Sequence, residues 1–147
     1  MEKLDNLYRE IIMEHYKNPR NKGLVQDPSY VTVHIKNPSC GDDITVQSKF
    51  EDGLVKDCRH DGHGCSICCS SASVMTDTVI GKTLENAGVI ADNYLKMVTN
   101  KPFDETVDLE EAAVYSGVRQ FPARIKCASI AWQAFVETLK KERENNG

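Results

Sequence analysis

Between Asp61 and Ser71 the chain reads DGHGCSICCSS, which puts Cys65, Cys68 and Cys69 within five residues. Such a run can be a metal site in itself, a redox pair of the Cys-x-x-Cys kind, or one functional thiol with two neighbours. Two further cysteines stand in comparable settings. Cys40 precedes Gly41 and Asp42, and Cys127 follows the stretch FPARIK. Thiolates bind zinc and attack sulfur, and the free N–H groups of a helix start favour thiolate over thiol. Gly41 can take the backbone angles that turn Cys40 and Asp42 towards one point. Cys40, Asp42, Cys65 and Cys127 together offer three sulfurs and one oxygen, a set suited to tetrahedral zinc. A carboxylate ligand is more exchangeable than a fourth thiolate. The set carries excess negative charge, which Arg124 and Lys126 are placed to offset. Spacing alone does not settle the matter, because a free cysteine also packs as a small hydrophobe.

The elements that must position these residues are legible in the apolar pattern. Leu4, Leu7, Tyr8, Ile11, Ile12 and Tyr16 fall on one face of a helix, which NPRNKG then stops. Val31, Val33 and Ile35 alternate with polar residues and predict a strand. ITVQSKF and LVKDCRH predict two more, joined at Asp52-Gly53, a hairpin signal. Cys58 falls inside the third strand. DGHG reads as a Gly-rich loop, and Cys65 opens a helix of small residues ending near Gly81. Thr83 caps the next helix. Asp108 and Glu111 resemble a capping box that opens a short helix, LEEAAVYSG. VRQFPARIK reads as a loop, so that Cys127 begins the last helix. Cys40, Cys65 and Cys127 thus lie at element ends, where scaffolds present active groups. The predicted class is α+β: a three-stranded antiparallel sheet with helices packed on one face, in a single domain over residues 1–147.

Composition narrows the function classes. The chain has 147 residues, 40% of them hydrophobic and 27% charged, so a real core needs no disulfide staples. A net charge of −4 does not suggest a nucleic-acid surface. No stretch has the apolar length of a membrane span, and MEKLDNLYRE lacks the basic and apolar regions of a secretory signal. A cytoplasmic protein with reduced cysteines is expected, in which metal binding or sulfur chemistry outranks a disulfide framework.

NPSCGDD, GHGCSI and FPARIKCASIAW resemble the three cysteine motifs of the IscU/NifU N-terminal family of iron–sulfur cluster assembly proteins. LYREIIMEHYKNPRNKG resembles that family's first helix and turn. The likeness covers nearly the whole chain and is strongest to the SufU-type branch, which has lysine before the last cysteine, here Lys126, and an added segment before the last motif, here KPFDETVDLEEAAVYSG. The resemblance implies a metal, usually zinc in that branch, bound by Cys40, Asp42, Cys65 and Cys127. It also implies a sulfurtransferase-like persulfide relay: sulfur is accepted on Cys127 from a SufS-type cysteine desulfurase and passed to a SufB-containing assembly complex. No nucleic-acid or membrane partner is implied. Cys68 and Cys69 depart from the branch, which more often has small or non-thiol residues there. They lie on the same helix side as Cys65 and are expected to pack.

Other residues carry weaker signals. Cys65-x-x-Cys68 lacks the βαβ context of a redox motif. His63 is expected in solvent rather than on the metal, His15, His34 and His60 in structural or exposed places, and Trp132 in the core. Two functional classes compete on the same ligands, a zinc-dependent sulfur carrier and a scaffold for a [2Fe–2S] cluster. Lys126, a poor cluster ligand, favours the carrier. A closed structural zinc module fits less well, because such sites seldom use a carboxylate.

Overall fold

The computed structural model describes residues 2–38 and 41–146. The element order is α1 (Glu2–Lys17), β1 (Val31–Asn37), β2 (Asp42–Glu51), β3 (Leu54–His63), α2 (Ser66–Val79), α3 (Leu84–Val98), a 3-10 helix (Glu110–Gln120) and α4 (Pro122–Asn146). The strands form one antiparallel sheet in the order β1-β2-β3. Asp52 and Gly53 make the hairpin turn with φ of 55° and 74°, the left-handed pair that a tight turn requires. Among the described residues no helix is long and apolar enough to cross a membrane.

The period of two along β2 decides what faces the helices. Asp42, Ile44, Val46 and Ser48 are buried in alternation with the half-buried Asp43 and Thr45. Ser48 meets Thr138 of α4 at 2.8 Å, and Cys58 of β3 meets Met75 of α2 at 3.9 Å. That row therefore looks at α2 and α4, and Asp42 is its last member.

Three stretches differ from the sequence reading, each for a local reason. DGHG is not a loop throughout: β3 runs on through Asp61, Gly62 and His63, paired with Thr45, Ile44 and Asp43. Gly62 makes this possible. Its φ is +137°, and a Cβ there would lie 1.9 Å from the Asp43 carbonyl oxygen, so only glycine lets the strands stay together. LEEAAVYSG is a 3-10 rather than an α-helix and extends to Gln120. Leu109, Ala112, Tyr115 and Val118 are all buried at intervals of three, the repeat of a 3-10 turn. The capping box does not form, since the Asp108 carboxylate accepts from Glu110 N–H at 2.9 Å while Glu111 reaches His15. Finally, Pro122 opens α4 instead of extending a loop. Proline has no N–H to lose in the first helical turn, and its fixed φ suits it.

Candidate metal centre

Element ends place Asp42 and Cys65, and the second turn of α4 places Cys127. Asp42 begins β2 on the helix-facing row and is 1% exposed. Cys65 follows the end of β3 as the N-cap of α2, with φ −71° and ψ 170°, and is half-buried. Cys127 comes from the opposite side of the core, in α4, and is 5% exposed. The ligand atoms of Asp42, Cys65 and Cys127 lie within 4.8 Å of one another. Cys40 lies outside the described residues.

Gly64 is the hinge of this arrangement. A Cβ on it would stand 2.4 Å from Asp42 Oδ1 and 3.1 Å from Cys68 Sγ. The carboxylate and the Cys68 thiol thus both lean on a backbone that has to be bare. Asp42 Oδ1 also accepts from Cys65 N–H at 3.4 Å, so the carboxylate answers a free amide of the helix start.

The electrostatics follow from crowding. Burial pushes the Cys127 thiol well up, and its hydrogen bonds to Cys65 and Asp42 push it further. Burial does the same to Cys68, helped by Asp42 and the thiols of Cys69, Cys65 and Cys127. Burial, with Cys65 and Cys127 also raising it and Arg124 lowering it, brings the Tyr8 phenol to about 12. Burial keeps these groups protonated, and a divalent cation would supply the counter-charge that ionised thiols need. The donor set fits such an ion. With bonds of about 2.0–2.3 Å, neighbouring donors in a zinc tetrahedron stand roughly 3.3–3.8 Å apart, which these three reach by small side-chain adjustment.

The other expected residues sort themselves around this point. Arg124 and Lys126 are exposed; Lys126 lines a groove with Ile35, Lys36 and Ser129. His63 is exposed. Cys127 does not begin its helix but sits in the second turn, its Sγ donating to the Ala123 carbonyl at 3.6 Å. Cys65 therefore stands at a helix start and Cys127 does not. Cys68 is fully buried beneath Gly64. The half-buried Cys69 instead donates to Gly64 O at 3.6 Å and lines a small cavity with His15, Tyr16, Lys22 and His60. Cys58 is buried away from the site, its thiol raised to about 12 by burial.

Sequence reasoning missed two supports. Tyr8 stands edge-on to Tyr115, centroids 5.9 Å apart, over Gly117. His15, 1% exposed, bonds Ser73 Oγ at 2.7 Å and Glu111 Oε1 at 2.9 Å, tying α1 to α2 and to the 3-10 helix. Its place on the inner face of α1 was readable; its two partners, far off in sequence, were not.

Comparison with known proteins agrees with the fold. Residues 7–128 match the NifU-like N terminal domain. The chain is 43% identical to the zinc-dependent sulfurtransferase SufU of Bacillus subtilis, over 97% of this chain and 96% of that one. It is 38% identical to the iron–sulfur cluster assembly scaffold protein IscU of Streptococcus pyogenes, over 96% and 87%. A crystal structure of a nitrogen-fixing NifU-like protein (N-terminal) from Brucella abortus superposes with a TM-score of 0.80 at 26% identity, over 95% of this chain and 96% of that one. The chain belongs to the NifU-like N-terminal domain family of iron–sulfur cluster assembly proteins.

Proposed function

We propose that the protein is a zinc-dependent sulfur carrier that takes persulfide sulfur from a SufS-type cysteine desulfurase onto Cys127 and passes it to a SufB-containing assembly complex. The observation that carries this reading is the convergence of Asp42, Cys65 and Cys127 within 4.8 Å. The SufU relative, named for zinc and sulfur transfer, is similar over nearly the full length. Cys40 would complete the ligand set. Bound zinc would hold the sulfurs as thiolates in a buried place where they otherwise keep their protons.

The chain's own residues then do the following. Cys127 thiolate attacks the outer sulfur of the desulfurase persulfide. A new S–S bond forms on Cys127, the old one breaks, and the desulfurase cysteine leaves as thiolate. Asp42, the single oxygen donor, is the ligand that exchanges most readily. Arg124 and Lys126, exposed beside Cys127 in sequence, would meet acidic groups on the partner. The competing reading, a scaffold for a [2Fe–2S] cluster, draws on the IscU relative and uses the same ligands.

One experiment separates them. With desulfurase and cysteine but no iron, the protein is expected to raise desulfurase turnover and to gain sulfur on Cys127, read by intact mass after alkylation. Unchanged turnover, with a stable cluster absorbance on adding iron, would establish the scaffold instead. Elemental analysis should find close to one zinc per chain and a loss of most of it in Cys65→Ala and Cys127→Ala; full retention in both would sink the ligand assignment.

A further inference from the structure

Cys68 is the thiol that the carrier reading leaves without a task. It stands at the third position of α2, three residues past the N-cap Cys65, fully buried, with its Sγ and the Asp42 carboxylate both against Gly64. Cys69 points elsewhere, into the cavity beneath α1. The start of α2 therefore holds an outer thiol, an inner thiol and a buried carboxylate beside the inner one. That is the arrangement in which a Cys-x-x-Cys pair exchanges between dithiol and disulfide. Side chains three apart on a helix have Cβ atoms about 5–6 Å apart, while a disulfide needs about 3.5–4.5 Å. The residue that has to close the gap is Cys65, a cap with extended backbone angles and not a residue of the helix proper.

We propose that Cys68 is a resolving thiol that releases carried sulfur as sulfide. The inference rests on the persulfide reading of the preceding section. Cys65 and Cys127 have their sulfur atoms within 4.8 Å, so the outer sulfur of a Cys127 persulfide passes to Cys65 thiolate, giving Cys65 persulfide and Cys127 thiolate. Cys68 then attacks the inner sulfur of the Cys65 persulfide. The Cys65–Cys68 bond forms, the bond to the outer sulfur breaks, and that sulfur leaves as hydrosulfide. The proton that Cys68 gives up goes with the leaving sulfur, so one persulfide and one thiol become one disulfide and one hydrogen sulfide. The transferred sulfur gains two electrons and the two thiols lose them, so no outside reductant enters this step. An external dithiol resets the pair for another round. The chain would thereby deliver sulfur at the oxidation level that a cluster contains.

The test loads the purified full chain with inorganic polysulfide, removes the excess, and follows it without reductant. The parent is expected to release sulfide, lose the mass of two hydrogens relative to the reduced chain, and show a Cys65–Cys68 link on peptide mapping. Cys68→Ser and Cys68→Ala should keep the extra sulfur atom and release sulfide at least roughly tenfold more slowly. Cys69→Ser should behave as the parent. Undiminished sulfide release from both folded Cys68 variants, or a disulfide that maps to Cys69 or Cys127, overturns the proposal. A parallel arm replaces polysulfide with desulfurase and cysteine. Disulfide and sulfide in the polysulfide arm alone support Cys68 as resolving thiol while removing the carrier reading. Persulfide that persists in both arms keeps the carrier reading and removes this one.

Discussion

Helix α2 borders two very different neighbourhoods. Beyond its first turn it presents Ser70, Ser71 and Ser73 to large partners. Ser70 meets the Tyr115 hydroxyl at 2.6 Å, Ser71 accepts from Trp132 Nε1 at 3.1 Å, and Tyr94 stacks on Trp132 with centroids 4.0 Å apart. Among the described residues no buried side-chain nitrogen or oxygen lacks a partner. At its start the same helix meets Asp42 and Cys127, and burial first, then their close neighbours, push the Cys68 and Cys127 thiols up. One neighbourhood is neutral, satisfied and closely packed; the other gathers groups that repel each other once ionised. The difference teaches how such a centre exists at all. Small hydroxyls let α4 and the aromatic rings approach α2 closely, and that packing holds Cys127 opposite Asp42 and Cys65 without any help from the site itself.

The largest blow to this division of labour is Trp132→Ala, which empties the packed side. A loss of about 3–5 kcal/mol is expected by chemical denaturation, with zinc stoichiometry kept wherever the chain is folded. A folded variant that has lost its metal would mean that the two regions are one.

Gly62→Ala attacks the opposite side through the backbone. The clash with the Asp43 carbonyl and the positive φ should cost about 2 kcal/mol or more and should also weaken metal binding, because the strand end that carries Asp42 and leads to Cys65 has to move. Unchanged zinc affinity would show that the site tolerates a displaced strand.

His15→Ala cuts the polar tie that holds α1 to the packed region. Ser73 Oγ keeps its hydrogen bond from Arg20 N–H at 2.7 Å and Glu111 turns to water, so about 1 kcal/mol per lost hydrogen bond is expected. Glu111→Gln should cost less, since the amide oxygen can still accept from Nε2–H; equal losses from both would place the tie's value in packing rather than hydrogen bonding.

The smallest effect is one of pH. The Cys58 thiol is raised from 9.0 to about 12 by burial in the packed region. Above 9.0 the unfolded chain gives up this proton while the folded chain keeps it. The stabilisation present below 9.0 is therefore withdrawn as pH climbs towards 12, by about 1 kcal/mol at pH 10. Removing the thiol with Cys58→Ala should flatten the decline of stability between pH 9 and pH 10 by that amount; an unaltered slope would trace it to other groups.

Much of this was legible in the sequence, and what was not has physical causes. Val31, Val33 and Ile35 named β1 because one face of the sheet is wet and the other dry. Thr83 named the start of α3, and its hydroxyl accepts from Asn86 N–H at 3.0 Å. The glycines around His63 were read as loop because a strand glycine usually weakens a strand; here a backbone approach demands it. VRQFPARIK reads as a loop because a proline that ends one helix can equally begin another, and only tertiary contact distinguishes the two. The meeting of Asp42, Cys65 and Cys127 was reached through family motifs; residues 23 and 62 positions apart carry no spacing signal of their own.

The seat of Cys127 one turn inside α4 sets the pace at which its sulfur can travel. A helical backbone leaves a side chain two χ1 wells, since the third collides with the preceding turn. Its sulfur therefore has two addresses rather than a continuum, and a change of address asks nothing of the main chain. At 5% exposure the hop waits on the neighbouring side chains and not on a loop rearrangement. Cys65 has the reverse character: as a cap it moves with the backbone where β3 gives way to α2. A rotamer change at Cys127 and a backbone shift at Cys65 are thus the two separate ways in which the distance between these sulfurs can alter.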